Sequence, residues 1–242
     1  ESGAPAALSE GLVGLAGAYD GVIVPPPLSD YPHVREFLFE QDMPAVYLSG
    51  FIGRGRSRRV SVDDFAAAQE MTSYLIGLRH TRVGFIKGNP NQFATKERLR
   101  GYRSALAAHS VSYDAKLVAP GAFTYESGLK AARKLLSGDP PTASFASNDD
   151  MAAAALAVAS SRGLKVPRDI SIAGFDDSPL ASAVFPRLTT VRQPLDAMAA
   201  HAVSALIDLI RRPGEGAAEE VRSLEIPYEM VLGESVAASR QV

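Results

Sequence analysis

The chain has 242 residues, of which 46% are hydrophobic, so it is long enough to bury a sizeable core as one large α/β domain or as two lobes. It contains no cysteine, which excludes disulfides, thiolate nucleophiles and cysteine-based metal sites and gives no sign of an oxidising compartment. Lysine and arginine total 25 against 27 acidic residues, so a net charge of −2 provides no overall positive field for nucleic acid. No run reaches the ~18 to 20 apolar residues of a membrane span, and we expect a cytoplasmic protein without membrane association.

Short β-rich runs alternate with helical patterns along the chain, which predicts βαβ units and a largely parallel sheet. The predicted strands lie at 21–24, 45–48, 60–62, 82–86, 143–146 and 170–173. The predicted helices lie at 33–41, 64–78, 96–109, 125–136, 149–162 and 195–211. A further helical pattern at 5–18 precedes the first strand, although a doubly wound sheet normally begins with a strand. We therefore expect the first strands of the fold to be missing, and we expect a mobile loop at 212–216.

Motifs for catalysis, phosphate binding and metal binding are missing from the sequence. The run GRGRSR at 53–58 lacks the third glycine of a dinucleotide-binding loop and precedes a predicted strand instead of a helix. The four histidines have no metal-type spacing and fit surface or helix-end positions: His33, His80, His109 and His201. We therefore expect no enzyme activity, no cofactor and no metal.

The densest positive cluster lies in the same glycine-rich segment, at Arg54, Arg56, Arg58 and Arg59. Such a cluster can contact nucleic acid or a phosphorylated ligand. It lacks interleaved aromatic residues, however, and this favours a solvated loop.

From Asp63 to about Val231, the sequence resembles the effector domain of the lactose/galactose repressor family. Several short stretches carry the resemblance in a fixed order: DFAAA at 64–68, RHTRVGFI at 79–86, RLRGY at 98–102, SG at 127–128, PTASFASNDDMA at 141–152, VPRDISIAGFDD at 166–177 and LTTVRQP at 188–194. Periplasmic sugar-binding proteins of transporters share the fold and some of these motifs, and they are the alternative. The LTTVRQP and VPRDIS stretches are similar to the repressor branch.

The polar residues that follow predicted strands are candidates for ligand binding, because ligands settle at the carboxyl ends of strands in open α/β sheets. Asn148 follows a strand and opens a helix, so it either caps that helix or turns its amide to a ligand. Asp176 also follows a strand, and its carboxylate can accept two donors or form a turn at 177–179.

Arg98 matches the family's Arg-x-x-Gly-aromatic pattern, and its planar fork suits vicinal hydroxyls or the acceptors of a base; the alternative is a surface arginine. Phe123 occupies the family position that supplies an aromatic wall, although a core phenylalanine is equally ordinary. Gln193 lies where the chain crosses between lobes, and Ser49 ends a strand of the first lobe at a position that often faces the ligand.

The resemblance implies two doubly wound parallel-sheet lobes of the periplasmic binding protein type I class, with a ligand cleft between them. The N-terminal lobe would comprise 1–61 and 193–222, and the C-terminal lobe 62–192 and 223–242. It also implies a homodimer, formed by the helices near 30–41 and 195–211, and a small-molecule effector. A neutral or weakly acidic sugar fits the candidate residues, and a purine would satisfy the same groups. Operator DNA would be bound by a separate helix-turn-helix domain that this chain lacks.

Overall fold

A computed structural model describes Gly14 and residues 17–211 and 223–240. The strands are β1 (Val22–Val24), β2 (Ala45–Leu48), β3 (Ser57–Ser61), β4 (Val83–Ile86), β5 (Val118–Ala119), β6 (Ala143–Ala146), β7 (Ser171–Ala173), β8 (Thr190–Arg192), β9 (Ser223–Glu225) and β10 (Glu229–Val231). The helices are α1 (Pro32–Glu40), α2 (Asp64–Gly77), α3 (Phe93–Ala108), α4 (Tyr125–Leu135), α5 (Asp149–Ser161), α6 (Pro179–Ala183) and α7 (Leu195–Arg211).

These elements form two compact units. Unit 1 comprises Glu1–Val62 and Pro194–Pro227, and unit 2 comprises Asp63–Gln193 and Tyr228–Val242. Unit 1 contains a four-stranded sheet in the order β1-β2-β3-β9, in which every described pair of neighbours is parallel. Its core includes Val34 and Leu38 of α1 against Tyr47 of β2.

Unit 2 contains a second parallel sheet, in the order β5-β4-β6-β7, and a two-stranded antiparallel pair of β8 and β10. Phe85 of β4 lies beside Phe145 of β6 in the sheet register, and both side chains are fully buried. The Tyr102 ring of α3 stacks on Phe85 with 4.9 Å between ring centroids, and its hydroxyl donates to the Val83 carbonyl at 2.8 Å. This aromatic cluster fixes α3 against the sheet.

Helices α2 and α3 approach each other at Gly101. A Cβ at this position would lie 2.2 Å from the Phe65 carbonyl oxygen, so no larger residue fits without moving the backbone. The start of α2 is fixed as well, because the Asp63 carboxylate accepts from the Ala66 backbone N–H at 2.9 Å. Together these contacts set the position of Asp64 on α2 relative to Arg98 on α3.

The α/β class with parallel sheets is confirmed, while several boundaries differ from the prediction. Residues 223–227 belong to unit 1 and not to the C-terminal lobe, because β9 pairs with β3 through Leu224 and Val60. Val62 and Gln193 also change sides, a shift of one residue each. Strands β5, β8, β9 and β10, of two or three residues each, lack the length that makes a periodicity visible. The predicted loop at 212–216 and, apart from Gly14 and 17–18, the predicted helix at 5–18 lie outside the described residues.

The arginine cluster is not the solvated loop that its composition favours. Arg58 and Arg59 lie in β3, and the cluster contacts the acidic residues of its own unit: Arg54 with Glu36, Arg56 with Asp42 and Arg58 with Asp208. Most of its charge is therefore balanced within the fold. Among the helices of the described ranges, none combines the length and the apolar character needed to cross a bilayer.

Candidate functional site

The predicted ligand residues of unit 2 gather at the carboxyl ends of β4, β6 and β7. Arg98, Phe123, Asn148, Asp176 and Gln193 are linked to one another by direct contacts. The Arg98 Nη1 lies 3.8 Å from the Asp176 Oδ1, and the Gln193 Nε2 donates to the same oxygen at 2.7 Å. On the other side, the Asn148 Nδ2 donates to the Phe123 carbonyl at 3.1 Å. Five residues that are far apart in sequence therefore form one cluster at the sheet edge where α/β folds bind ligands.

Arg98 is buried, not a surface arginine. Its side chain is 5% exposed, and its Nε donates to the Asp64 Oδ1 at 2.7 Å. Its Nη1 donates to the Ser147 carbonyl, directly after β6. The guanidinium carbon lies 3.5 Å from the centroid of the Phe175 ring, a cation–π contact, and 5.8 Å from that of Phe123. These contacts hold the fork in one orientation before any ligand binds.

Asp64 is one of two supporting residues that the sequence did not predict. Its side chain is 1% exposed, its Oδ1 pairs with Arg98, and its Oδ2 is buried without a hydrogen-bond partner among the described residues. Burying a carboxylate is costly, and the Arg98 guanidinium beside it offsets that cost. The signal was the pair of adjacent aspartates at the start of α2, of which Asp63 caps the helix and Asp64 turns inward.

Asp176 is the acceptor at the centre of the cluster, and about a third of its side chain is exposed (32%). Burial raises the pKa of its carboxyl, while the Arg98 charge and the Gln193 hydrogen bond oppose that rise. Its backbone N–H donates to the Val191 carbonyl at 2.7 Å, which ties the loop after β7 to β8. The side chain is therefore anchored by its backbone and still reaches solvent.

Asn148 performs the capping role that the sequence left open. Its Oδ1 accepts from the Met151 backbone N–H at 3.1 Å, and its Nδ2 donates to the Phe123 carbonyl. The side chain is also buried, so both ends of the amide have protein partners. Asn148 thus fixes the loop that carries Phe123. Its amide keeps one lone pair and one further N–H, and its Nδ2 also lies 3.4 Å from the Asp150 Oδ2.

Phe123 lies over a bare stretch of backbone at Gly88. A Cβ at Gly88 would lie 2.0 Å from the Phe123 Cζ, so the ring can occupy this position only because residue 88 is glycine. The ring is partly buried against the core that α4 and α5 share. It is thus the core phenylalanine that the sequence offered as one alternative, and its role as an aromatic wall for a ligand stays a prediction.

Asp149 holds the loops around the site in place through hydrogen bonds, and the sequence did not predict this role. It is fully buried, and it accepts from the Thr190 hydroxyl and from the Ser178 backbone N–H, both at 2.7 Å. These bonds connect α5 to the loop after β7 and to β8. Burial raises the pKa of the Asp149 carboxyl to about 6. A Cβ at Gly174 would lie 2.3 Å from the Asp149 Oδ1, so a residue with a side chain does not fit at position 174 beside this carboxylate.

Backbone strain is concentrated at the candidate positions. Seven described non-glycine residues have a positive φ, and three of these, Asp42, Arg79 and Ser110, follow helix ends, where such values are common. The other four all lie in loops that follow strands: Ser49 (56°), Phe123 (60°), Asp176 (114°) and Asp177 (53°). Left-handed conformations of this kind are costly and cluster at ligand sites.

Ser49 belongs to unit 1 and follows β2, as its strand-end position predicted. It is 9% exposed, and its backbone N–H donates to the Val60 carbonyl at 2.9 Å. Its part in binding stays a prediction. The described ranges contain no group of three or more histidine, aspartate or glutamate side chains that could hold a metal ion.

The comparisons with known proteins agree with this geometry. The family model for the periplasmic binding protein-like domain matches residues 72–236. The transcriptional regulator CelR of Thermobifida fusca is 38% identical over 200 residues, which are 81% of this chain and 58% of that protein. The repressor CytR of Escherichia coli (strain K12) is 37% identical over 168 residues, which are 69% of this chain and 49% of that protein. The chain thus spans about half to three-fifths of the length of these relatives.

Solved structures show the same kinship. The structure of a CelR–cellobiose complex superposes with a TM-score of 0.85 at 34% identity, covering 94% of this chain and 69% of that one. The regulator CcpA of Lactococcus lactis gives a TM-score of 0.85 at 27% identity, covering 94% of this chain and 82% of that one. The chain belongs to the periplasmic binding protein-like domain family, and its relatives place it with the effector-binding cores of lactose/galactose-type (LacI) repressors, which confirms the resemblance carried by its motifs.

Proposed function

We propose that this chain is the ligand-sensing and dimerisation core of a bacterial transcription repressor, and that the cluster at the carboxyl edge of unit 2 binds a small sugar. One observation carries the proposal: the buried Arg98 fork is held against Phe175 beside the partly exposed Asp176 carboxylate. A preformed donor and acceptor of this kind is expected of a binding site, since the cost of ordering the groups is met during folding.

A sugar matches the chemistry of the cluster. Sugar hydroxyls both donate and accept, so the remaining N–H groups of Arg98 and the Asp176 carboxylate can bind neighbouring hydroxyls. The Phe123 ring covers a C–H face of a pyranose. The relative whose solved complex contains cellobiose makes that disaccharide the first ligand to test.

Isothermal titration calorimetry with cellobiose, glucose, ribose and the nucleobases adenine and guanine tests the ligand class. We expect a sugar to bind and Asp176→Asn to weaken it by about 10- to 100-fold, because a hydrogen bond to a charged group is worth about 1.5–3 kcal/mol. Asp177→Asn is the matched control, since it removes the same charge one residue away, where the carboxylate pairs with Arg192 at 2.7 Å.

Two results would contradict the assignment. If Asp176→Asn and Asp177→Asn left affinity for the bound sugar unchanged, the site would lie elsewhere. If adenine or guanine bound while every sugar failed, the effector would be a purine. Arg98→Ala is a poor first variant, because it leaves the buried Asp64 without its partner.

We propose further that the cluster binds without catalysis. Its buried carboxylates pair with Arg98 or with backbone and hydroxyl donors. The hydroxyl that donates to a carboxylate here, that of Thr190, is fully buried with Asp149, so this pair has no access to a ligand as nucleophile and base. Incubation with cellobiose, followed by chromatography of the sugar, is expected to return it unchanged. Turnover that disappears in Asp176→Asn would overturn this part of the proposal.

The homodimer is proposed to form through α1 and α7. Exposed apolar side chains lie on both helices: Phe39 on α1 and Leu195, Val203 and Ile207 on α7. Buried in a symmetric contact, such residues would stabilise a pair. Sedimentation velocity is expected to show a dimer that Ile207→Lys dissociates and that Leu232→Lys, at an exposed site in unit 2, does not. A wild-type monomer at micromolar concentration would count against the proposal.

Operator DNA is proposed to be bound in the cytoplasm by a helix-turn-helix segment outside this chain, with the effector and the operator each changing the affinity for the other. The coding sequence upstream of Glu1 tests this directly. A helix-turn-helix supports a repressor, whereas a signal peptide would overturn it in favour of a periplasmic sugar-binding protein of a transporter.

A further inference from the structure

A cavity lies at the edge of the unit 2 sheet opposite the candidate sugar site, where the strands begin. It encloses about 340 Å³ and lies beside His80, Thr142 and Asp169, which precede β4, β6 and β7 respectively. The candidate sugar site is built from residues that follow these strands, so the two sites share no residue. A volume of this size falls at the lower end of the range for small-molecule sites.

One wall of the cavity is formed by residues 238–240 of the C-terminal segment 235–240, and hydrogen bonds fix this segment in place. The Ser235 carbonyl accepts from the Ile172 N–H at 2.9 Å, the Ala237 N–H donates to the Ser171 hydroxyl at 3.1 Å, and the Ser239 N–H donates to the Leu78 carbonyl at 2.8 Å. The segment is therefore held against β7 at residues 235 and 237 and against the end of α2 at residue 239. The cavity it closes is preformed.

The polar lining at His80 is neutral and already satisfied. The His80 Nε2 donates to the Ala237 carbonyl at 2.9 Å, and because a carbonyl only accepts, Nδ1 is left to accept from the Thr142 hydroxyl at 2.9 Å. Burial lowers the pKa of the imidazole, which keeps the ring uncharged. Leu164 and Pro167 add apolar surface.

The charge of the cavity comes from two arginines and one aspartate. Arg168 is neutralised by Asp169, with Nε and Nη2 donating to its two carboxylate oxygens at 2.8 and 2.9 Å. Arg240, in contrast, has no charged or hydrogen-bonding partner among the described residues. The lining therefore carries one uncompensated positive charge beside apolar walls.

We propose that this cavity binds a small carboxylic acid with a compact apolar body, whose carboxylate pairs with Arg240 while its body packs against Leu164 and Pro167. The planar guanidinium fork matches a carboxylate in two parallel hydrogen bonds. The apolar walls distinguish such an acid from a bare anion, which has no body to fill the cavity. The chain thus has a second ligand site, separate from the effector site.

Benzoate is the probe, and benzamide, its neutral counterpart of equal shape, is the control ligand. Binding is followed by NMR through the backbone amides of Asp169 and Ser239. We expect benzoate to shift these amides in a saturable way and benzamide to bind at least tenfold more weakly. Arg240→Gln should weaken benzoate at least tenfold, and Ala238→Phe, which fills the cavity from an exposed lining position, should abolish binding. Arg103→Gln removes an equal charge from the exposed surface of α3 and should change nothing.

Several results would overturn the proposal. Equal affinity for benzoate and benzamide would remove the role of the charge. Equal shifts with inorganic phosphate would show anion adsorption at Arg240 without use of the apolar walls. Unchanged benzoate affinity in both Arg240→Gln and Ala238→Phe, or benzoate shifts at Asp176 instead of Ser239, would place binding elsewhere. None of these outcomes depends on whether the carboxyl edge binds a sugar.

Discussion

The raised pKa of the buried Asp149 carboxyl leads to a quantitative prediction of how the stability of the chain depends on pH. Its pKa rises from the ordinary 3.8 to about 6 in the folded chain, chiefly through burial. Between these values the unfolded chain has released the proton and the folded chain still holds it, so stability falls as pH rises through this window and then levels off. At about 1.4 kcal/mol per pH unit, the full effect is about 3 kcal/mol.

The perturbation is Asp149→Asn, which removes the titration. The amide oxygen can still accept from the Thr190 hydroxyl at the present 2.7 Å, but the amide nitrogen faces the Ser178 N–H, donor against donor. This mismatch lowers stability by about 1–3 kcal/mol at every pH. The free energy of unfolding of the variant, measured relative to that of wild type, should therefore rise by about 2–3 kcal/mol between pH 4 and pH 8.

The assay is native-state hydrogen exchange of the buried β4 and β6 amides, because it reports the opening free energy of unit 2 by itself. Exchange is measured at several pH values and corrected for the intrinsic rate. Asp196→Asn, an exposed carboxyl in unit 1, is the control and should track wild type. A difference between wild type and Asp149→Asn that stays constant from pH 4 to pH 8 would refute the reasoning.

Three further predictions concern the supports of the site. Asp64→Ala should lower the free energy of unfolding by about 3–5 kcal/mol in urea denaturation and Asp64→Asn by less, because the first leaves a buried guanidinium without its partner at 2.7 Å; equal losses would contradict this. Gly88→Ala should displace the Phe123 ring and weaken sugar binding about three- to tenfold in calorimetry, whereas Gly77→Ala, with open space at the Cβ, should not. Thr124→Ala should lower stability by about 1 kcal/mol, because Thr124 caps α4 in a reciprocal capping box, and an unchanged urea midpoint would argue against that role.

The sequence predicted those features that repeat or follow a known order. The longer helices carry an apolar stripe, and α4 and α7 begin where the pattern placed them, at residues 125 and 195. The buried strands β4 and β6 were found because four successive apolar or small residues lie between turn signals. The family motifs then directed attention to Arg98, Phe123, Asn148, Asp176 and Gln193, which the structure brings together.

The sequence could not predict the hydrogen-bonding and pairing partners of these residues. Arg98 was predicted to bind a ligand through its planar fork, with a surface arginine as the alternative, yet two of its nitrogens already contact Asp64 and the Ser147 carbonyl. Both partners lie on other elements, 34 and 49 residues away, and no local periodicity encodes such a pairing. Strand β9 was missed for the same reason, since it exists only through its pairing with β3.

These pairings define what the site can still offer. A guanidinium has five N–H donors, and Arg98 uses one at Asp64 and one at Ser147, so up to three remain beside Asp176. The Asp176 Oδ1 accepts from Gln193, which leaves the Asp176 Oδ2 as the carboxylate oxygen that is free to accept from a ligand. A ligand that fits must therefore accept from an arginine and donate to a carboxylate on adjacent atoms. A vicinal diol has this pattern in any sugar, so the cluster selects for the class of ligand, and the identity of the sugar depends on residues beyond it.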